Sequence, residues 1–261
     1  DMYNVAVGDE AGAEITTGVS STLIGGLAGD AITTGDQNVA VGYLALTSLQ
    51  TSDGNTAIGV AALNDTTGAD NTAVGRLAGY QVTSGANNLA LGKDALRTGS
   101  PGGAVTTGSN VIGLGDENIS SFNCQVALTV ASDERDKTDF VDLDLGLDFV
   151  KALEPVTYYW DKRSKYGDKT AEDYDLEAQT PDGTHKEDWM DVGFKAQAVQ
   201  SLEDAAGYTA SAKKNLTVAS SDDGKQLGLR YEKFIPILVK AIQDQDAIIQ
   251  SLTARIAALE S

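Results

Sequence analysis

The sequence predicts a mainly β chain: a β-roll or solenoid of about 17-residue repeats, then an α+β domain ending in a long coiled-coil helix. Three observations carry this. A short apolar run closing on glycine recurs through residues 1–115, aromatics and mixed charge replace it after residue 131, and residues 235–261 space their apolar side chains alternately four and three apart.

Composition narrows the function. The 261 residues hold 19 basic and 38 acidic side chains, a formal charge of -19, which repels nucleic-acid phosphates and anionic membrane surfaces. Neither nucleic acid nor membrane insertion is expected, because no apolar run reaches the roughly 18 residues of a membrane span. Hydrophobic content of 41% excludes wholesale disorder. Cys124, the single cysteine, cannot form an intrachain disulfide and reads as a small apolar residue rather than a reactive thiol. A start at Asp1-Met2 suggests a fragment of something longer.

In the repeat array, Asn-Val-Ala-Val-Gly ends at Gly8 and again at Gly42, with variants ending at Gly59, Gly75 and Gly92, and Thr22-Leu23-Ile24-Gly25 fills the gap. The intervals are 17, 17, 17, 16 and 17 residues, followed by 21 to Gly113, where Ser100-Pro101-Gly102-Gly103 suggests a cap. Each unit reads as strand, turn, short segment, turn. One unit cannot bury its own apolar face, so stacking must do so. The Asn before each strand is expected to form a side-chain ladder rather than a ligand site. The interior is small, mostly Ala, Val and Leu, and so thin a stack favours several chains supporting one another. The pattern over about residues 4–115 resembles the trimeric β-roll heads of autotransporter adhesins and bacteriophage fibre shafts.

Residues 116–131 form a connector. Its end, from Gln125 to Ala131, alternates like an extended strand, as a scissile segment must be extended to reach a nucleophile. Ser132-Asp133-Glu134-Arg135-Asp136-Lys137 follows. A serine hydroxyl attacks a carbonyl only when a base takes its proton, and a neutral lysine amine can be that base. Five residues do not put two side chains on one helix face, so a turn starting at Asp133 must fold Lys137 back. By spacing alone the pair reads equally as two solvated surface residues. Asp136 beside Lys137 favours the protonated amine and hence slow chemistry.

Four ordered motifs decide between those readings. Ser132-Asp133-x-Arg135-x-Lys137, then Leu153-Glu154-Pro155-Val156-Thr157-Tyr158-Tyr159-Trp160, then Gly193-Phe194-Lys195-Ala196-Gln197, then Leu229-Arg230-Tyr231 with the apolar run to Ile242 resemble the peptidase S74 family. That family is the intramolecular chaperone domain at the C-termini of phage tail spikes, endosialidases and tail fibres, and the resemblance spans 132–261. It implies a parallel homotrimer that cuts itself between Ala131 and Ser132, with Ser132 as nucleophile and Lys137 as general base. Arg135, Asp133 and backbone amides are candidates for oxyanion or positioning roles. No cofactor or metal is implied.

Further elements are expected in order: a helix over 143–153 stopped by Pro155, a strand over 156–160, an inserted polar loop over 161–191, a helix over 194–202, then loop and short strand to 228. Asp142, Asp144 and Asp148 lack a calcium-loop spacing and read as a solvated face. His185 has no companion for a metal site. Leu238, Ile242, Gln245, Ile249, Leu252, Ile256 and Leu259 form the coiled-coil stripe expected to trimerise the chain. Ile and Leu at these positions by themselves suit a dimer; the trimer rests on Ile248 widening the seam and on the family resemblance.

The domains expected are thus a repetitive 1–115, a connector 116–131, a chaperone and autoprotease 132–234, and a coiled coil 235–261. The implied function is the distal part of a phage tail fibre whose chaperone folds the β shaft and then cuts itself off. The partner is the chain itself, with a host-surface receptor or glycan for the fibre. The shaft would reside on the virion, and the chaperone part would act in the host cytoplasm during assembly. The competing expectation is a structural adhesin that trimerises without cutting. A glycan-hydrolysing spike lacks an aromatic-lined carboxylate pair in 1–131.

Overall fold

The computed structural model describes residues 3–260 apart from 170, 172, 210, 213 and 215. Asp1, Met2 and Ser261, at the outer ends of the expected first and last domains, lie outside the described residues. The chain packs as two compact units. The first runs to Ser120 and takes in Trp160–Asp188 and Ser220–Gln226; the second comprises Ser121–Tyr159, Trp189–Ala219 and the chain from Leu227 onward.

The first unit is a parallel β-solenoid. Seven three-residue strands, β1 (Val5–Val7), β2 (Thr22–Ile24), β3 (Val39–Val41), β4 (Thr56–Ile58), β5 (Thr72–Val74), β6 (Leu89–Leu91) and β7 (Ile112–Leu114), pair in sequence order. Like positions stack on like: Ala40 on Ala57, Ala73 on Ala90. From β2 to β7 the middle residue of each strand is buried, Leu23, Ala40, Ala57, Ala73 and Ala90 being essentially inaccessible, whereas Ala6 in β1, with no turn before it, is exposed. Glycine follows each strand, and after the first five the backbone takes φ near +140° (Gly42 +141°), where a Cβ at Gly42 would lie 2.5 Å from the carbonyl oxygen of Gly59.

The asparagines form the expected ladder. The backbone N–H of Asn55 donates to Asn38 Oδ1 at 2.9 Å, that of Asn71 to Asn55 Oδ1 at 3.0 Å, that of Asn88 to Asn71 Oδ1 at 3.0 Å and that of Val111 to Asn88 Oδ1 at 2.9 Å. Ser21 keeps the rung open with its hydroxyl where an amide is missing. Each amide satisfies a backbone group of the next turn that burial would otherwise leave unpaired, at about 1–3 kcal/mol per group.

Two expectations change. The last interval is 23 residues, not 21: Leu91 pairs with Leu114 and Ala90 with Gly113, so the counterpart of Gly92 is Gly115, and the segment expected as a cap is a further full turn. Gly113 takes the place of alanine because Leu96 fills the space a Cβ would need. The connector forms no strand within 116–131; Val126, Leu128 and Val130 are exposed. Alternation specifies a strand only where a neighbouring strand or layer receives one of its faces.

The second unit is α+β. Helix α1 (Leu147–Ala152) begins after Gly146 and stops at Leu153, whose extended backbone (ψ 138°) leads into Glu154-Pro155. It is shorter than the 143–153 expected. Strand β8 (Val156–Tyr159) pairs antiparallel with β9 (Met190–Gly193), setting Tyr158 opposite Asp191. Helix α2 (Ala196–Ala205), short strands β10 (Val218–Ser220) and β11 (Leu227–Leu229), and the 27-residue helix α3 (Phe234–Glu260) complete it. Leu145, Phe149, Val199, Val218, Phe234 and Ile237 make its core. Glu203 is buried at the end of α2, where Oε1 accepts the Thr217 backbone N–H at 2.7 Å and the Thr217 hydroxyl.

The contact of α3 with α1 reaches Asp244, whose Oδ2 accepts the Leu147 N–H at 3.1 Å; beyond it residues 245–260 are all exposed, including Ile249, Leu252, Ile256 and Leu259. No helix among the described residues is long and apolar enough to cross a membrane.

Candidate functional site

The hexapeptide owes its shape to one residue. The Asp133 side chain accepts the Arg135 backbone N–H at 2.9 Å and caps a single 3-10 turn, Glu134–Asp136. The turn closes with the Lys137 N–H donating to the Glu134 carbonyl at 3.1 Å. Reversing the chain in this way brings Lys137 back over Ser132, so that Lys137 Nζ lies 2.6 Å from Ser132 Oγ and 3.1 Å from the Ser132 carbonyl oxygen. A hydroxyl and an amine five residues apart are thus in direct hydrogen-bond contact, the distance over which one could pass a proton to the other.

Arg135 is turned the other way. Its guanidinium donates to the Asp133 carboxylate through Nε at 3.0 Å and Nη2 at 2.6 Å. This bond, together with the Arg135 backbone N–H, holds the Asp133 carboxyl below its ordinary pKa, and Asp133 in turn raises that of Arg135. Two of the four polar candidates therefore meet at Ser132, while Arg135 and Asp133 pair with each other and position the turn. Among the described residues no hydrogen bond joins Arg135 to Ser132, and no ion pair joins Asp136 to Lys137; the ion pair within the hexapeptide is Arg135–Asp133.

Ala131 and Ser132 sit in a segment, 118–142, that is exposed throughout. The Ala131–Ser132 backbone is reachable from solvent. Nothing in the single chain buries the amine, whereas lysine becomes a base when desolvation or nearby cations favour its neutral form.

The first six residues after the connector open a longer relationship. Residues 132–208 match the family model for peptidase S74, the chaperone of endosialidase. With the solenoid upstream, the match agrees with a shaft followed by a chaperone domain. Neither a curated protein nor a solved structure matches the chain.

The family segment begins at Ser132 and contains two of the other motifs, those around Pro155 and Phe194; Leu229-Arg230-Tyr231 and α3 lie beyond it. The structure gathers three motifs into the core rather than around the serine. Phe194 stacks on Phe234 with centroids 5.4 Å apart and on Tyr231 at 6.3 Å, and the Phe194 N–H donates to the Tyr231 hydroxyl at 3.4 Å. These residues shape the core of the second unit.

The aspartates weighed for calcium go separate ways. Asp144 accepts the Tyr208 hydroxyl, a bond that with burial pushes the Tyr208 pKa up to about 12, and Asp148 pairs with Lys151 at 3.2 Å. No cluster of three metal-ligating side chains occurs among the described residues. His185 stacks edge-on against Tyr166, centroids 4.8 Å apart.

Sequence reasoning missed one set of polar residues. Glu117 in the last turn of the solenoid is buried, and it is met by Lys162 and Lys169 from the 160–188 excursion. A hint was available in Gly99 and Gly103, which interrupt the repeat just where another segment packs against it.

Proposed function

We propose that the chain is the distal part of a phage tail fibre or spike, and that its chaperone domain assembles a homotrimer and then severs the Ala131–Ser132 bond. The observation that carries the cut is the 2.6 Å contact between Lys137 Nζ and Ser132 Oγ, at the first residue of the family segment and beside an exposed connector.

In the reaction, neutral Lys137 takes the Ser132 hydroxyl proton as Oγ attacks the Ala131 carbonyl carbon. The C–N bond breaks, the proton passes to the departing Ser132 nitrogen, and an ester links the Ala131 acyl group to Ser132 Oγ. Water then hydrolyses the ester, leaving a carboxylate on Ala131 and a free amine and hydroxyl on Ser132. Each domain acts once.

Two unpartnered surfaces support the oligomer. The outward third residues of the strands, Val7, Ile24, Ile58, Val74, Leu91 and Leu114, form a continuous apolar column, each between 38% and 57% exposed. The stripe of α3 from Leu238 to Leu259 is a second. A single chain rarely displays two such features, and other copies of the chain would cover them. A C-terminal coiled coil holding three chains in register would speed the slow, non-local pairing of the shaft. Cutting would then make assembly hard to reverse. On this reading the mature shaft belongs to the virion, where its exposed faces meet a host-surface receptor or glycan.

Terminal sequencing of the purified protein tests the cut: a new N-terminus at Ser132 is expected, and none with Lys137→Met. Light scattering tests the assembly, with three times the chain mass of 27.2 kDa expected. A cut at another bond contradicts the mechanism. A dimer contradicts the trimer.

A further inference from the structure

The first unit contains chain from both sides of Ala131–Ser132. The 160–188 excursion and the 220–226 turn follow that bond in sequence, yet they pack on the last turns of the solenoid, which precede it. Lys169 Nζ is ion-paired with the Glu117 carboxylate, the two side chains 21% and 9% exposed. Lys162 Nζ donates to the Glu117 carbonyl at 3.0 Å, and Arg97 Nη2 donates to the Lys169 carbonyl at 3.3 Å. Asp222 Oδ2 accepts the Gly108 backbone N–H at 3.0 Å.

The fit is steric as well as electrostatic. A Cβ on Gly99 would stand 2.7 Å from that of Ser164, and one on Gly103 would stand 2.5 Å from that of Ser221. Ser164, Leu176 and Ser221 are all buried. The two excursions also brace each other, Arg163 Nη2 donating to the Lys225 carbonyl at 2.7 Å and Lys225 pairing with Asp175 at 2.7 Å.

We infer that the end of the solenoid is a docking surface for these two excursions, and that the halves produced by cutting stay together as a non-covalent complex latched by Glu117–Lys169. Scission therefore does not free the chaperone; undocking is a second step with its own rate. The inference draws on the proposed function only for the cut that gives it meaning, since the docked contacts exist in the intact chain. Separating the buried Glu117 carboxylate from the half-buried Lys169 amine leaves each to be solvated before release, so the latch makes departure slow rather than forbidden.

The test uses the full chain carrying Ser132→Ala, so that any self-cutting is removed, with a recognition sequence for a sequence-specific protease replacing residues 122–128. Once the added protease has cut the connector, the two pieces are expected to co-elute on size exclusion in about 0.1 M salt and to dissociate faster in about 1 M salt, where charges are screened. Lys169→Met, and separately Gly108→Ala, which intrudes on the Asp222 carboxylate, should each speed dissociation at least about tenfold. The Lys169→Met pieces should also lose the salt dependence. An unchanged melting profile of the uncut variants establishes that they fold. Separate elution of the unsubstituted pieces overturns the inference, and so does co-elution that both substitutions and salt leave unaltered. Either result leaves the Ser132 chemistry untouched.

Discussion

The solenoid and the C-terminal unit differ in how much of their structure one chain completes. In the solenoid each turn pairs with the next, the asparagine ladder closes its own hydrogen bonds, and Leu23, Leu46, Leu49 and Leu63 are buried by their own chain. In the C-terminal unit residues 121–142 and 245–260 are exposed, and they include the proposed cleavage bond Ala131–Ser132 and most of the apolar stripe of α3. On the proposed function, the difference separates stability from activity: the repeats would store the first, and the second would wait on surfaces supplied by other copies of the chain.

The sharpest way to break this contrast is to damage the solenoid's backbone. Gly59 has φ +140°, and a Cβ there would lie 2.4 Å from the carbonyl oxygen of Gly75, so Gly59→Ala must displace a neighbouring turn. A loss above about 3 kcal/mol is expected, visible as failure of the first unit to melt cooperatively. A normal melt would mean that the turns are less tightly stacked than their register indicates.

Asn55→Ala comes next. It removes the acceptor of the buried Asn71 N–H, at a cost of about 2–3 kcal/mol in denaturant unfolding. Ile256→Ala sharpens the other side of the comparison. Ile256 is 55% exposed in the single chain, so a monomer would barely notice the change, whereas a coiled coil should lose about 1–2 kcal/mol per chain with a concentration-dependent melting temperature. Concentration independence would remove α3 from the assembly.

The smallest effect is acid sensitivity at the solenoid's end. Burial would raise the carboxyl pKa values of Asp94 and Asp116, but hydrogen bonds from Lys93 and Arg97 to Asp94, and from Asn118 and Lys93 to Asp116, hold both below the ordinary value. Lowered folded-state values mean stability that is present above about pH 4 and lost as pH falls through them. Asp116→Asn should therefore erase a difference of less than about 1 kcal/mol seen at pH 5 and leave melting at pH 2 unchanged. A variant that melts like the wild type at both values would show that Asp116 contributes nothing.

Much of this was legible in the residues. Glycines ending the apolar runs marked the repeat, because at the first five no other residue takes φ near +140° beside a neighbour's carbonyl. The turn demanded by the spacing of Ser132 and Lys137 is present and begins at Asp133. The last interval was misjudged because Gly113 and Gly115 stand two residues apart, and only pairing says which matches Gly92. Left-handed backbone at Leu27, Leu44 and Leu77 leaves no compositional trace, since leucine there is tolerated only because adjacent turns hold it. The docking of 160–188 was hidden for a related reason: its lysines look like solvated surface until Glu117 is placed opposite them.

Self-cutting is most directly tested by a denaturing gel of freshly purified wild type beside Ser132→Ala, followed over hours at neutral pH. Pieces of 131 and 130 residues growing in the wild type while Ser132→Ala stays whole is the expected result. Identical bands in both lanes would contradict the assignment of Ser132 as the nucleophile.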